Sequence, residues 1–208
     1  MTADAVFWNR IAAKYSRSPV RNPTAYAETL AEVIALLDPR DRVLELGCGT
    51  GTTALKLAPH VRTMAATDIS REMIAIAEEK RQAAGIANVG FATAGIVEPD
   101  ADALPYDAVL AFNLLHLIGD LDAALAAIHA QLKPGGLFIS KSACIAEMTW
   151  VIRPLIRVMQ MVGKAPSVNV MSRRDLEAAI ARAGLTLEQS RTFTGAPNSL
   201  FVVARKPG

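Results

Sequence analysis

The chain has 208 residues, a formal net charge of +2, and a composition 51% hydrophobic and 20% charged. That length suits one domain with a sizeable core, and that composition excludes an intrinsically disordered chain. The absence of a long basic run argues against nucleic-acid partners, and no apolar run reaches membrane-spanning length.

Two cysteines, Cys48 and Cys144, make neither a disulfide framework nor a site of zinc spacing, so no metal is expected. The first ten residues lack the charged start and apolar stretch of a secretory leader, which reads as a cytoplasmic protein.

In chain order, Asp4 to Tyr15 reads as a helix. Thr24 to Leu37 reads as a second, with Thr24 as N-cap and Ala27, Leu30, Val33, Ile34 and Leu37 on one face. Arg42 to Leu46 is the first buried strand, followed by a helix from Thr52 to Ala58. Thr63 to Thr67 is a strand, and Ser70 caps a helix reaching about Ala84. Strands follow at Val89 to Thr93 and Tyr106 to Phe112. A helix from Asp122 to Leu132 stops at Lys133-Pro-Gly-Gly136, before a strand from Leu137 to Ser142. This alternation predicts a parallel sheet covered on both faces. A last helix spans about Ser172 to Ala183. Strands at Leu185 to Thr194 and Ser199 to Arg205 flank a turn with Gly195, Pro197 and Asn198, which predicts an antiparallel hairpin.

The segment 146–171 interrupts this pattern. Arg153, Arg157, Gln160 and Lys164 recur at helical spacing among apolar residues, with Pro154 at a start or kink. Three readings stand: a helix packed on the domain with a basic edge, a lid over an acceptor pocket, or a weak contact with an anionic membrane surface.

The chemistry concentrates at Val43-Leu-Glu-Leu-Gly47-Cys-Gly49-Thr-Gly51. A strand runs into three alternate glycines and then a helix, so backbone can approach a ligand where a Cβ would clash. The spacing G-x-G-x-G is one residue shorter than the dinucleotide fingerprint. Glu45, two residues before the first glycine, would repel a diphosphate and suits the ammonium and sulfonium of S-adenosylmethionine. Asp68 ends the second strand 21 residues after Gly47, the range for a carboxylate accepting both ribose hydroxyls. An NAD(P)-dependent oxidoreductase is the rival enzyme reading. A non-catalytic S-adenosylmethionine-binding protein is the other alternative.

With these motifs the chain resembles the class I S-adenosylmethionine-dependent methyltransferases. It looks most like their small-molecule type 11 branch, which is similar to the ubiquinone/menaquinone C-methyltransferases. Further support comes from Phe7-Trp8-Asn9-Arg10-Ile11-Ala12-Ala13-Lys14-Tyr15, Tyr106-Asp107-Ala108-Val109 through Asn113-Leu-Leu-His116, and Leu132-Lys-Pro-Gly-Gly136. The resemblance implies a Rossmann-like α/β fold with a seven-stranded, mostly parallel sheet. Its order is 3-2-1-4-5-7-6, with the last strand antiparallel and helices on both faces. It divides a single domain into an N-terminal helical cap (1–37), a cofactor-binding core (38–145), the inserted segment (146–171) and a helix with the C-terminal hairpin (172–208).

It also implies site residues. Gly47, Cys48, Gly49 and Gly51 would meet the methionine portion of S-adenosylmethionine, Asp68 the ribose, and Ile69 and Met73 the adenine. Asn113 and His116 would line the methyl-transfer side, and Tyr15 would close over the carboxylate. By its own position after the fourth strand His116 reads either as a general base for the acceptor or as a residue packed among Leu114, Leu115, Leu117 and Ile118. The family pattern Gly-Asp-Ala after strand three is here Gly95-Ile96-Val, so an isoleucine stands where an acid would bond adenine. Glu98, Asp100 and Asp102 are the nearby substitutes. The expected partner is a small, hydrophobic methyl acceptor.

Overall fold

In the computed structural model, which describes residues 2–96, 105–148 and 165–208, β1 (Arg42–Leu46) has four of its five residues buried. Such burial on both faces marks a central parallel strand. It pairs in parallel with β2 (Thr63–Asp68) and β4 (Tyr106–Phe112), and β2 in turn with β3 (Val89–Thr93). On the other side β4 pairs in parallel with β5 (Leu132–Ala143). β7 (Ser199–Arg205) then runs antiparallel between β5 and β6 (Thr186–Thr192). The observed order β3-β2-β1-β4-β5-β7-β6 and the antiparallel hairpin match the sequence expectation.

Alternation along the strands makes two cores. Val43, Met64, Leu110, Ile139 and Phe201 pack on one face under α2 (Pro23–Leu36) and α3 (Thr52–Leu57). Leu44, Leu46, Val109, Phe138 and Val202 pack on the other, under α5 (Leu121–Gln131) and α6 (Arg173–Arg182). Glu45 falls among these buried strand residues with 2% exposure.

The helix ends follow capping chemistry. In α1 (Ala3–Arg17) Thr2 accepts from the Ala5 amide, with Asp4 in the first turn and Lys14 and Arg17 in the last. Ser70 caps α4 (Arg71–Ala84) by accepting from the Met73 amide, and Gly85 closes it in the left-handed region. The N-cap of α2 differs from expectation. Asn22 Oδ1 accepts from the Ala25 amide, and Pro23 occupies the first turn. Proline has its φ preset and no amide to satisfy, so it enters the helix and moves the cap upstream of Thr24. β5 also begins earlier than expected. Its register with β4 passes from Tyr106↔Leu132 to Ala108↔Leu137, so the Lys-Pro-Gly-Gly turn is an irregularity within the strand.

No helix among the described residues is long and apolar enough to cross a membrane. Arg153, Pro154, Arg157, Gln160 and Lys164, on which the lid and membrane readings rest, lie outside the described residues.

Candidate functional site

The loop after β1 is built on glycine at three positions, with φ of +66° at Gly47, +54° at Gly49 and +73° at Gly51. L side chains seldom adopt this region. A Cβ on Gly47 would stand 2.6 Å from Leu114 Cδ1, so the loop also packs against the segment after β4. A Cβ on Gly51 would stand 2.7 Å from Phe91 Cζ and 2.8 Å from Ala77 Cβ. Gly51 therefore seats the loop against β3 and α4.

Asp68 is tied into this loop. Its Oδ2 accepts from the Gly49 amide and its Oδ1 from the Ser70 amide, both at 2.9 Å. Burial raises its pKa, and these two amides pull the other way. Glu45 lies deeper, and its Oε2 has no hydrogen-bond partner among the described residues. Burial, then the Asp68 charge, pushes its carboxyl up to about 8. A buried carboxyl oxygen left without a partner costs folding energy unless a ligand supplies a cation or donor.

A cavity of about 300 Å³ opens above the loop. It brings together Tyr15, Gly47, Gly49, Asp68, Ile69, Met73, Ile96 and Asn113 of the expected residues. Asn113, with φ +54°, is the only described non-glycine residue in the left-handed region. Glu45, Cys48, Gly51, Gly95 and His116 do not line it. Cys48 is a buried thiol whose pKa burial raises well above its usual value, which suits an inert filler. Burial pushes the His116 imidazole down to about 4, so it is neutral at pH 7 and a weak base. Its carbonyl accepts from the Asn169 amide at 2.7 Å, while Leu114 and Leu117 on either side face the cavity. Glu98, Asp100 and Asp102 lie outside the described residues. No cluster of three or more metal-ligating side chains occurs among the described residues.

The cavity roof comes from distant parts of the chain. Trp8 and Tyr15 on α1 line it and pack edge to face, with ring centres 6.2 Å apart. Asn9 pins α1 in place, because its Oδ1 accepts from the Ser70 hydroxyl at 2.7 Å and the Glu72 amide at 3.3 Å. Asp4 Oδ1 accepts from the Ser167 amide at 3.0 Å, and Asp4 and Pro166 both line the cavity. The Phe7 to Tyr15 motif includes Asn9, but nothing in the sequence marked the pairing role of Asn9 or Asp4, since their partners lie 61 or more residues away.

Comparison with known proteins bears on this geometry. Residues 20–190 match the family model for a methyltransferase domain. An iterative polyketide synthase of Emericella nidulans is 36% identical over 134 residues, covering 59% of this chain and 5% of that protein. The uncharacterized methyltransferase YcgJ of Bacillus subtilis is 30% identical over 103 residues, covering 47% of this chain and 39% of that protein. In these sequence matches the chain spans less than half the length of each relative. The crystal structure of YcgJ superposes with a TM-score of 0.72 at 17% identity, covering 88% of this chain and 99% of that one. A putative methyltransferase of Haloferax volcanii, solved in complex with the Trm112 methyltransferase activator, gives 0.81 at 16% identity, covering 99% and 98%. At such identities the superpositions show the fold.

Proposed function

Because this chain belongs to the methyltransferase domain family, of the class I S-adenosylmethionine-dependent kind, we propose that it methylates a small, largely hydrophobic molecule. The observation that carries the proposal is the cavity, whose wall joins the glycine loop and Asp68 to the apolar side chains of Trp8, Leu114, Leu117 and Ile118. The match to a polyketide synthase points the same way.

The residues present fit S-adenosylmethionine. Gly47 and Gly49 offer backbone without a Cβ at the cavity floor. Each oxygen of Asp68 receives one amide and keeps a second lone pair for a ribose hydroxyl. Glu45, whose Oε2 has no hydrogen-bond partner among the described residues, suits the cationic end, directly or through water. Ile69 and Met73 supply apolar wall for the adenine, and Ile96 takes the place of an acid there. When bound, the cofactor supplies an activated sulfonium methyl group. The protein's own work is then to hold the acceptor in line and exclude water. Tyr15 and Trp8 do the covering, and Asn113 and Leu114 form the wall at the end of β4. His116 is assigned only a neutral supporting role, because its imidazole is outside the cavity wall and weakly basic.

The test is methylation profiling of a cell extract with purified protein and labelled S-adenosylmethionine, read by mass spectrometry. Label in a small-molecule fraction supports the proposal. Label in macromolecules alone overturns it. Cofactor binding without any labelled product would favour a non-catalytic binding protein.

A further inference from the structure

A second cavity, of about 230 Å³, shares Phe112 and Asn113 with the first. Its wall also includes Arg21 before α2, Tyr26 and Thr29 on α2, and Lys141 on β5. Two of its lining side chains are cationic, and none of the described ones is an Asp or Glu.

Lys141 sits at the centre of this imbalance. Its ammonium donates to Thr29 Oγ1 at 2.7 Å and to the Ala25 carbonyl at 3.2 Å, and it stands 4.9 Å from the centre of the Phe193 ring. These partners are all uncharged, and Lys141 forms no ion pair among the described residues. Burial lowers its pKa, against a weaker opposing pull from Glu28. Glu45 acts on the Tyr26 phenol without lining the cavity, and its carboxyl is largely protonated at pH 7. A tie between β5 and α2 needs only a neutral donor. A partly desolvated cation with no ion pair among the described residues is costly, and the ammonium has a third N–H to give.

The backbone places this group beside the first cavity. Lys141 is paired with Phe112 in the β4–β5 register, and the Asn113 amide donates to the Lys141 carbonyl at 2.7 Å. We propose that the second cavity is the anion-binding part of the acceptor site, where Lys141 holds the carboxylate of a small organic acid whose other end faces Asn113. The proposal rests on the small-molecule reading above. The size favours a compact acid, because the volume is below the roughly 300 Å³ at which drug-sized sites begin. Arg21 at the rim adds charge that draws an anion in.

Ligand-observed NMR on protein saturated with S-adenosylhomocysteine tests this, using benzoate, cinnamate and hexanoate against their primary amides. At least one acid should bind ten times more tightly than its amide. Lys141→Gln, which keeps a donor for Thr29, should remove that preference, and Lys141→Arg should retain it. Unchanged binding of S-adenosylhomocysteine shows that each variant is folded. If no acid is preferred over its amide, or the preference survives in Lys141→Gln, the proposal is overturned. Extract profiling separates the two readings. Label only in neutral small molecules sinks the carboxylate site alone, whereas label only in macromolecules sinks the small-molecule reading beneath it.

Discussion

The Gly49 amide donates to Asp68 Oδ2, so the acid expected to hold a ribose also fixes the glycine loop above it. A second amide, from Ser70, binds the other oxygen and ties the same carboxylate to the start of α4. Asp68→Ala should therefore act twice. S-adenosylmethionine affinity should fall at least about tenfold, which is about 1.4 kcal/mol. The melting temperature should also drop, because hydrogen bonds to a charged group are worth about 1.5–3 kcal/mol each. Calorimetry and thermal melting measure the two effects. A folded variant with unaltered affinity would remove Asp68 from the cofactor site.

Glu45 makes stability and binding depend on pH in opposite directions. Its folded pKa, about 8, lies above the ordinary value of 4.5, chiefly through burial. The folded state therefore holds a proton that the unfolded state releases between those values. This contribution to stability is complete below about pH 4.5 and is lost as pH rises through about 8. The ligand-free protein should melt at lower temperature at pH 8.5 than at pH 6.5, and Glu45→Gln should flatten that slope. A cationic ligand prefers the ionised carboxylate, so S-adenosylmethionine should bind more tightly as pH rises over the same range and release a proton on binding at pH 7. Calorimetry in two buffers of different ionisation enthalpy reads the proton directly. Equal heats in both buffers would count against the contact.

Gly51 separates packing from binding within the glycine loop. Alanine there meets Phe91 and Ala77 at under 3 Å and must adopt a φ of +73°. Overpacking and backbone strain each cost about 1–3 kcal/mol. Gly51→Ala should thus lower the melting temperature by several degrees, at about 2–4 °C per kcal/mol for a chain of this size. At a temperature where the variant is folded, cofactor affinity should change by less than about threefold. A large affinity loss in a variant of normal stability would return Gly51 to the cofactor contact set.

What the sequence made legible follows the range of the interactions involved. The β1 strand, its glycine loop and Asp68 could be read because strand burial, left-handed turns and the terminal acid are local patterns at fixed spacing. The N-cap of α2 was misplaced by two residues, since Thr24 is a plausible cap by type and only the geometry of Pro23 moves the role to Asn22. Placing Gly51 at the ligand followed from the motif, whereas its contacts with Phe91 and Ala77 depend on how α4 and β3 pack. The Lys141–Thr29 contact joins residues 112 apart and has no sequence signature. His116 reads as a base by its position after β4, yet burial leaves its imidazole weakly basic and it does not line the cavity.

The roof of the cavity should tighten when ligand arrives. α1 rests on α4 through Asn9, and its cavity-facing Tyr15 is still 48% exposed. Apolar surface left open at a cavity mouth gains burial only when something fills the space beneath it. Asp4 extends the cover by accepting from the Ser167 amide, so α1 and the segment around Pro166 should respond together. Hydrogen exchange with S-adenosylhomocysteine should slow across residues 7–21 and at 165–169, as well as at the glycine loop. Asn9→Ala removes the acceptor for both the Ser70 hydroxyl and the Glu72 amide. It should speed exchange in α1 without ligand and weaken cofactor binding several-fold, while exchange in the central strands β1 and β4 stays slow. Protection confined to residues 47–68, with Asn9→Ala binding as the parent does, would make α1 a packing helix and take Tyr15 out of the closing role.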